Sequence, residues 1–322
     1  MTMHAAVERA EYVLGIDAGG TKTVCLLARG DGQIVAEARG AGANLQAVGE
    51  LEVEKVLHGV MERALGTRAV VPAAICLGIA GVDRPDDNRV IHAIMRRIGH
   101  KARTVIANDA LIALVAGIGH APGVVIIAGT GSIAYGRNAD NAAARAGGWG
   151  YVLGDEGSGY WIGRLALRAV VRQADGRGRA TRLTPHVLEH FGVAKPQELV
   201  QAIYHRNLRP SAIAAVARAV QLAADEEDEV ALNILTVGAR ELAACARSVV
   251  RQLELSDAFS FVLAGGILSA VPRLTTELQS LLTELAPHSV IVPLDKEPAL
   301  GAVELALAEA RGAGNLPSYK HS

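Results

Sequence analysis

Val13-Leu14-Gly15-Ile16-Asp17-Ala18-Gly19-Gly20-Thr21-Lys22-Thr23 is the stretch around which the rest of the chain is organised. Its apolar residues, running into Asp17, predict a buried strand. Gly19 and Gly20 permit positive φ and let backbone N–H groups approach a ligand. A concave row of such groups binds phosphate, and Asp17 could hold the water shell of a Mg²⁺ ion. Taken alone, the stretch fits an ordinary glycine turn better than a phosphate site.

The residues that follow predict a hairpin, because Val24–Ala28 and Ile34–Ala36 are apolar runs separated by a turn at Gly30-Asp31-Gly32. The candidate phosphate loop therefore joins two antiparallel strands. It lacks the lysine spacing of a P-loop, and no helix follows it as in a dinucleotide-binding fingerprint.

The same pattern returns later in the chain. Residues 124–128 are an apolar strand, Gly129-Thr130-Gly131 is a second loop, and Ile133–Tyr135 is the returning strand. A third glycine pair, Gly265-Gly266, ends the apolar run 261–264. Repeated strand–loop–strand units followed by helical segments predict a duplicated α/β architecture with a nucleotide between its halves.

Composition excludes several classes of protein. With 322 residues, 50% of them hydrophobic, the chain is long enough for two domains. A formal net charge of −1 and 3% aromatic residues argue against nucleic-acid binding. The three cysteines, Cys25, Cys76 and Cys245, lie far apart in apolar runs and form no metal-binding spacing. The N-terminus has no signal-peptide core and no run is long enough to span a membrane, so we expect a cytoplasmic protein without a membrane partner.

The first half predicts alternating helices and strands. Helices are predicted over 51–65 and from Pro85 to about Ile98, and strands over 74–81 and 104–107. The second of these strands leads into Asn108-Asp109, where a helix begins. Ligands gather at this edge of an open α/β sheet. A hinge is predicted between Gly117 and Gly123.

The segment from Gly147 to Gly159 is the most unusual in the second half. Six glycines surround Trp149 and the acids Asp155 and Glu156, which favours a ligand loop over a plain linker. A helix is predicted near Tyr160, and mostly helical structure from about 161 to 253. Strands over 259–264 and 290–292 and helices over about 269–285 and 298–311 complete the half.

These glycine loops make the chain resemble the sugar kinase/Hsp70/actin superfamily of ATPases. Within it, residues from about 12 to 311 look like the N-acetylglucosamine kinase branch, grouped with the BadF/BadG/BcrA/BcrD-type ATPases. The resemblance implies an α/β fold, specifically a duplicated ribonuclease H-like (actin/hexokinase-type) two-domain fold with an interdomain cleft. We expect an N-terminal domain over 1–121 with helix 298–311 packing back on it, a C-terminal domain with a helical insertion over 122–297, and a disordered tail over 312–322.

The resemblance also implies an ATP site with Mg²⁺ held by Asp17 through water. Thr21 and Thr130 would each give a hydroxyl and an N–H to phosphate, and Ser211 would contact adenosine. As isolated residues, both threonines would more often be turn or strand residues, and Gly265-Gly266 equally fits a strand-to-helix turn. The expected ATP-binding residues are Asp17, Gly19, Gly20, Thr21, Gly129, Thr130, Gly131, Ser211, Gly265 and Gly266.

Sugar-binding residues follow from the same resemblance, and they are Asn44, Asp109, Gly148, Trp149 and Asp155. Carboxylates and an amide suit the hydroxyls of a sugar, while Trp149 offers an apolar face and one N–H donor. Each has an ordinary structural explanation as well: Asn44 in a turn, Asp109 as a helix N-cap, Asp155 in a first helical turn. Ala43 stands where relatives can carry Thr, which removes one possible hydroxyl contact.

The resulting interpretation is an ATP-dependent amino-sugar kinase, first choice N-acetylglucosamine to its 6-phosphate, with Asp109 as general base and a homodimer as the assembly. Kinases for glucosamine, N-acetylmuramic acid or another hexose use the same polar set. An activator ATPase would need cysteines for an iron–sulfur cluster, and the cysteine pattern argues against it. A sugar-sensing repressor would need a basic helix-turn-helix, for which we expect no room before Tyr12.

Overall fold

The computed structural model describes residues 12–68, 70–82, 85–205, 208–256 and 258–319. The chain divides into two compact units. The first comprises the described residues up to His120 together with Lys296–Leu316, and the second comprises Ala121–Asp295 together with the described residues from Pro317 on. The sequence predicted the boundary between the two domains at 121/122 and the return of the chain to the first domain at 297/298. No helix among the described residues is long and apolar enough to cross a membrane.

The first unit contains a five-stranded sheet in the order β3-β2-β1-β4-β5. β2 is antiparallel to β1 and to β3, whereas β4 and β5 run parallel to β1. This mixed arrangement follows from the predicted hairpin and from the helix that joins β4 to β5. The strands are β1 (Tyr12–Ala18), β2 (Lys22–Arg29), β3 (Ile34–Ala41), β4 (Ala74–Ile79) and β5 (Arg103–Asn108).

Helices cover this sheet, and as a result every residue of β4 and nearly all of β1 are buried. The helix from residue 299 to 310 returns from the far end of the sequence and packs against β1, β4 and the helix that begins at Asp109. The helices of the unit are α1 (Leu45–Val48), α2 (Glu50–Leu65), α3 (Pro85–Ile98), α4 (Asp109–Ile118) and α13 (Ala299–Ala310).

The second unit repeats the strand order of the first. Its sheet is β10-β9-β6-β7-β8-β11, in which β6 and β7 form the antiparallel hairpin and β9 and β10 run parallel to β6. The predicted duplicated α/β architecture is therefore confirmed. The strands are β6 (Gly123–Ala128), β7 (Ser132–Arg137), β8 (Ala142–Gly147), β9 (Ser260–Ala264), β10 (Val290–Pro293) and β11 (Ser318–Tyr319).

A large helical layer packs on this sheet, with one apolar core shared by strands and helices. A π-helical turn spans Gln201–His205. The helices are α5 (Gly159–Ala174), α6 (Leu183–Phe191), α7 (Glu198–Val200), α8 (Pro210–Ala214), α9 (Ala217–Asp225), α10 (Glu229–Gln252), α11 (Gly266–Ala270) and α12 (Pro272–Leu285).

The structure corrects the expected elements at β8, at the helix expected over 269–285 and in the tail. β8 was not predicted, because its residues Ala142–Gly147 are mostly alanine and glycine, which have low β-propensity. The single helix expected over 269–285 is two helices, α11 and α12, which meet at Val271 and Pro272 since proline cannot continue a helix. The expected disordered tail is wrong for Ser318–Tyr319, which pair in parallel with β8; residues 320–322 lie outside the described part.

Candidate functional site

The first glycine loop lies between β1 and β2 as predicted. The Gly19 N–H donates to the Lys22 carbonyl at 3.0 Å and closes the turn. Gly20 and Thr21 are exposed, and a side chain added at Gly20 would meet nothing within 4 Å. The loop therefore presents open backbone to a ligand, as a phosphate site requires.

Asp17 lies near the end of β1 and is buried, with 8% of its surface exposed. Burial, and next the neighbouring Asp109, raise the pKa of Asp17 to about 7, although Lys22 works in the opposite direction. A carboxylate that interacts with a second carboxylate at a sheet edge is typical of a functional site.

Lys22 and Glu297 are residues that sequence reasoning missed. The Lys22 ammonium donates to both carboxylate oxygens of Glu297, at 3.1 and 2.9 Å, and Arg39 donates to one of them at 3.0 Å. Burial works against the charged form of Glu297, but Lys22 and Arg39 outweigh it and hold its pKa below the usual value. The separation of 275 residues between Lys22 and Glu297 gives no local signal.

Asn44 is half-buried beside the same loop. The backbone after β3 comes so close that a Cβ on Gly42 would lie 2.2 Å from the Gly20 carbonyl oxygen. The Ala43 N–H also donates to the Gly19 carbonyl at 3.0 Å. These backbone contacts hold the segment before Asn44 against the first glycine loop, although β2 and β3 separate the two in the sequence.

Asp109 is the first residue of α4 but not its N-cap. The capping residue is Asn108, with extended backbone and a side-chain oxygen that accepts the Ala110 N–H at 2.7 Å. The same N–H lies 3.0 Å from the Asp109 carboxylate. The alternative explanation of Asp109 as the helix cap is thus wrong, since Asn108 satisfies that requirement. β5 and β1 are separated only by β4, which brings Asp109 near Asp17.

The second glycine loop lies between β6 and β7, and it contacts the start of α5. The N–H of Gly159 donates to the Gly129 carbonyl at 2.9 Å, and that of Tyr160 donates to the Thr130 carbonyl at 3.3 Å. A Cβ on Gly129 would meet nothing within 4 Å. The N-terminal residues of α5 therefore hold the loop by hydrogen bonds, while the space around Gly129 is open.

Asp155 contacts this second loop, which the sequence did not indicate. It is buried at 7% exposure, and a Cβ on Gly131 would lie 2.6 Å from its carboxylate. Burial raises the pKa of Asp155, while the N–H groups of Gly150 and Ser132 counteract the rise. Its φ of 59° is left-handed, a strained conformation that is found at functional sites.

Gly265 and Gly266 lie beside the second loop as well. Gly265 has φ of 102°, and a Cβ there would lie 2.3 Å from the Ala128 carbonyl oxygen, so glycine is required. Gly266 faces open space. Ser211 lies on α8, which packs on α5, and Ala214 of α8 and Ile267 of α11 both flank Gly159. Gly265 therefore lies against the strand that leads into the second loop, and Ser211 lies on a helix that packs against α5.

Trp149 lies in the glycine-rich loop and is 61% exposed. The preceding Gly148 donates its N–H to the Ser132 carbonyl at 2.9 Å, which attaches the loop to β7. The guanidinium carbon of Arg145 lies 5.3 Å from the centroid of the Trp149 ring. The loop ends at Ser158, the N-cap of α5. The expected sugar residues of this unit thus lie within one loop.

The cysteines do not form a site in the described part of the chain. Cys25 and Cys76 are buried, Cys245 is half-buried, and all three are free thiols. Burial raises the pKa of each. No group of three or more potential metal-ligating His, Cys, Asp or Glu residues occurs among the described residues.

Comparison with known sequences gives a match to the model of the BadF/BadG/BcrA/BcrD ATPase family over residues 14–306. A protein from Clostridium acetobutylicum named N-acetylmuramic acid/N-acetylglucosamine kinase is 35% identical, over 93% of this chain and 99% of the relative. The N-acetyl-D-glucosamine kinase of Dictyostelium discoideum is 33% identical, over 92% of this chain and 98% of the relative.

Solved structures agree on the fold. A Chromobacterium violaceum protein provisionally named N-acetylglucosamine kinase aligns with TM-score 0.76 and 28% identity, covering 92% of this chain and 99% of that one. A ROK family glucokinase from Streptomyces griseus aligns with TM-score 0.58 and 17% identity, covering 94% and 99%. The prediction of a two-domain ribonuclease H-like fold is therefore confirmed.

Proposed function

We propose that this chain, which belongs to the BadF/BadG/BcrA/BcrD ATPase family, transfers the γ-phosphoryl group of ATP to the 6-hydroxyl of an amino sugar. The predicted family and the prediction of an enzyme of the sugar kinase class are confirmed by the family match and by two relatives of at least 33% identity. The particular sugar, the site residues and the catalytic base are the proposal.

N-acetylglucosamine is the sugar we propose first, because the names of the two relatives described above include it. N-acetylmuramic acid is the second candidate, since one relative is also named for it. The two sugars share the acetamido group and the 6-hydroxyl. They differ at O3, where N-acetylmuramic acid carries a lactyl group that ends in a carboxylate.

The observation that carries the proposal is the position of Asp109. It begins a helix at the carboxyl end of the sheet beside Asp17, while the capping of that helix falls to Asn108. A carboxylate in such a position suits a general base. The 6-hydroxyl oxygen would form its bond to the γ-phosphorus as the bond to ADP breaks, and Asp109 would take the hydroxyl proton. We propose that Asn44 orients the same sugar.

Magnesium fits the residues of the first unit. A buried carboxylate at Asp17, with no larger cluster of protein ligands in the described chain, matches the habit of Mg²⁺, which is bound by one or two carboxylates and substrate phosphates. When bound, the ion would neutralise charge on the phosphates. Burial, and next the neighbouring Asp109, raise the pKa of Asp17 to about 7, and a cation bound to this carboxylate would favour its charged form.

The remaining residues are proposed to hold the substrates. In the first unit, Gly19, Gly20 and Thr21 would bind phosphate. In the second unit, Gly129–Gly131 would do the same, Gly265, Gly266 and Ser211 would contact adenosine, and Gly148, Trp149 and Asp155 would contact the sugar. The proposal is supported by the open backbone at Gly20, Gly129 and Gly266. A homodimer and a cytoplasmic location stay predictions.

A panel of free sugars tests the proposed function. The purified chain with Mg-ATP should release ADP with N-acetylglucosamine, and the product should carry phosphate on O6 by nuclear magnetic resonance. A lack of activity with all three of N-acetylglucosamine, glucosamine and N-acetylmuramic acid would contradict the proposal. ADP release at the same rate with and without sugar would indicate an ATPase instead.

Tryptophan fluorescence tests the sugar contact separately from turnover. Trp149 is largely exposed, so a sugar stacking on it should change its emission, whereas an unrelated pentose should not. Trp161, which is half-buried in α5, is the other tryptophan of the sequence. The Trp149→Phe variant should lose the response, and a response that persists in it would remove Trp149 from the site.

A further inference from the structure

The glycine-rich loop of the second unit brings an arginine against the residue proposed to stack on the sugar. Arg145 lies on β8, paired with Tyr135 of β7. Its guanidinium carbon lies 5.3 Å from the centroid of the Trp149 ring, within the range of a cation–π contact. Arg145 is half-buried and Trp149 is largely exposed. A ligand that covers the indole therefore reaches the vicinity of a positive charge.

The guanidinium is suited to one particular class of ligand group. It is planar and always charged, and it presents paired N–H donors that match the two oxygens of a carboxylate. Stacking on Trp149 restricts its rotation, so less entropy is lost when it binds an anion. A neutral sugar hydroxyl gains much less from such a group than a carboxylate does.

Two acids in the same loop make a positive charge necessary for binding an anionic sugar. Asp155 and Glu156 lie in the same loop, and both are acids that would repel an anionic substrate. Asp155 is buried against Gly131 and accepts the Gly150 N–H at 3.1 Å. An anionic sugar bound at this loop therefore needs a compensating cation, and Arg145 provides one beside Trp149.

The loop also exposes apolar surface. Tyr151, Val152 and Leu153 are 44%, 77% and 78% exposed, although each is an apolar or aromatic side chain. These three residues are consecutive in the chain, and an apolar surface rimmed by polar residues is the kind that ligands cover. An apolar arm that ends in a carboxylate would contact both kinds of surface that this loop offers.

We propose that Arg145 is a specificity-determining residue that binds the carboxylate of an acidic amino sugar. The substrate class then includes N-acetylglucosamine bearing a carboxyalkyl ether, of which N-acetylmuramic acid is the available example. This inference rests on the proposed function. Because the ether is on O3 and the phosphoryl group goes to O6, Arg145 acts on binding of the acidic sugar and takes no part in the transfer.

Steady-state kinetics on the full chain test the inference, with N-acetylglucosamine and N-acetylmuramic acid at saturating Mg-ATP. The wild type should phosphorylate both sugars. Arg145→Met should raise KM for the acidic sugar by roughly 10- to 100-fold, as expected for a lost charge-assisted hydrogen bond. Its kcat/KM for the neutral sugar should change by less than about twofold, the size expected when no hydrogen-bonded partner is lost.

Two further variants keep the test interpretable. Arg145→Lys keeps the charge but loses the paired donors, so its KM for the acidic sugar should lie between those of the wild type and Arg145→Met. If Arg145→Met has a much lower melting temperature than the wild type, the acidic and neutral sugars are compared with Arg145→Lys instead. Arg240→Met, which removes an exposed arginine from α10, should change neither sugar's kinetics.

The outcomes separate the inference from the proposed function. Equal losses with both sugars in the Arg145 variants would make Arg145 a support for Trp149 and overturn the inference. A wild type that phosphorylates only the neutral sugar would overturn it too, while leaving the kinase proposal standing. Absence of phosphorylation of both sugars and of glucosamine by the wild type would instead reject the proposed function.

Discussion

The two glycine loops occupy equivalent places in two sheets of the same strand order, yet they differ in chemistry. The first lies between the paired residues Ala18 and Thr23, and the second between Ala128 and Ser132. One residue before Ala18 is Asp17, a buried acid, whereas the residue before Ala128 is the apolar Ile127. At this position, the repeated backbone therefore carries an ionisable group in the first unit only.

Their surroundings differ in the same sense. The first loop is followed by Lys22, whose ammonium pairs with Glu297, and it lies near the acid Asp109. The second loop is held by backbone N–H groups from α5 and by one buried acid, Asp155. Asp17, Lys22, Asp109 and Glu297 thus lie at or near the first loop, whereas the second loop is held mainly by backbone hydrogen bonds. We expect catalysis to depend on the first and ligand affinity on the second.

The largest expected effect is that of Asp109→Asn. The change keeps the side-chain size but removes the proton acceptor, so kcat should fall by about 10²–10⁴-fold while the sugar still binds. The matched variant Asn108→Ala removes the helix cap and should lower the free energy of unfolding by about 0.5–2 kcal/mol with most turnover kept. Near-normal turnover in Asp109→Asn would transfer the role of base to another residue, Asp155 first.

Asp17→Asn should alter stability in a pH-dependent way. Because the folded pKa is about 7 against an ordinary 3.8, the stabilising contribution of protonated Asp17 is complete below pH 4 and is lost as pH rises through 7. The uncharged variant should therefore match the wild type at acidic pH and be more stable at pH 8, by up to about 4 kcal/mol. Denaturant unfolding without nucleotide measures this difference, and one that is constant with pH would count against a buried, proton-binding Asp17.

Substitution of the threonine in each loop tests whether nucleotide affinity depends more on the second loop than on the first. Mg-ATP should raise the melting temperature of the wild type, and Thr130→Val should weaken nucleotide binding by roughly tenfold, the value of one hydrogen bond to a charged group. Thr21→Val should have a smaller effect, since Thr21 is exposed whereas the Thr130 backbone is fixed by α5. No stabilisation of the wild type by millimolar Mg-nucleotide would remove both loops from the ATP site.

The smallest effect is expected for Glu297→Gln. Lys22 and Glu297 are 51% and 29% exposed, so loss of their ion pair should cost less than about 1 kcal/mol of stability. Removal of the negative charge should also lower the pKa of Asp17, because Glu297 raises it. The midpoint of the pH-dependent stability should shift below 7, whereas Glu37→Gln, which breaks only the pair with Arg39, should leave it unchanged.

The fold could be predicted from local patterns because those patterns are strong. The apolar runs into Asp17 and Gly129 and the glycines after them predicted both hairpins, and proline at 85 marked the start of α3 where the structure has it. β8 and β11 could not be predicted. Their few small or polar residues form strands only because the edge of an existing sheet supplies hydrogen-bond partners.

The candidate site was predictable as a set of residues but not as a set of contacts. Asp17, Asp109 and the glycine loops were identified from their positions after apolar strands. The contact of Asp155 with Gly131 and the network of Lys22, Arg39 and Glu297 were not, because they join residues that no local pattern relates.

The sequence by itself determined the duplicated α/β fold, the family and the positions of the glycine loops, since each depends on the order of apolar and glycine residues along a short stretch. Tertiary structure alone decided which acids become neighbours and how far burial moves their pKa values. Parallel pairing of β4 with β1 and β5 brings the ends of distant strands to one edge, so Asp17 and Asp109 interact across 92 residues of sequence. Charge–charge energies depend on distance in space and on the exclusion of water, and neither is written in the local sequence.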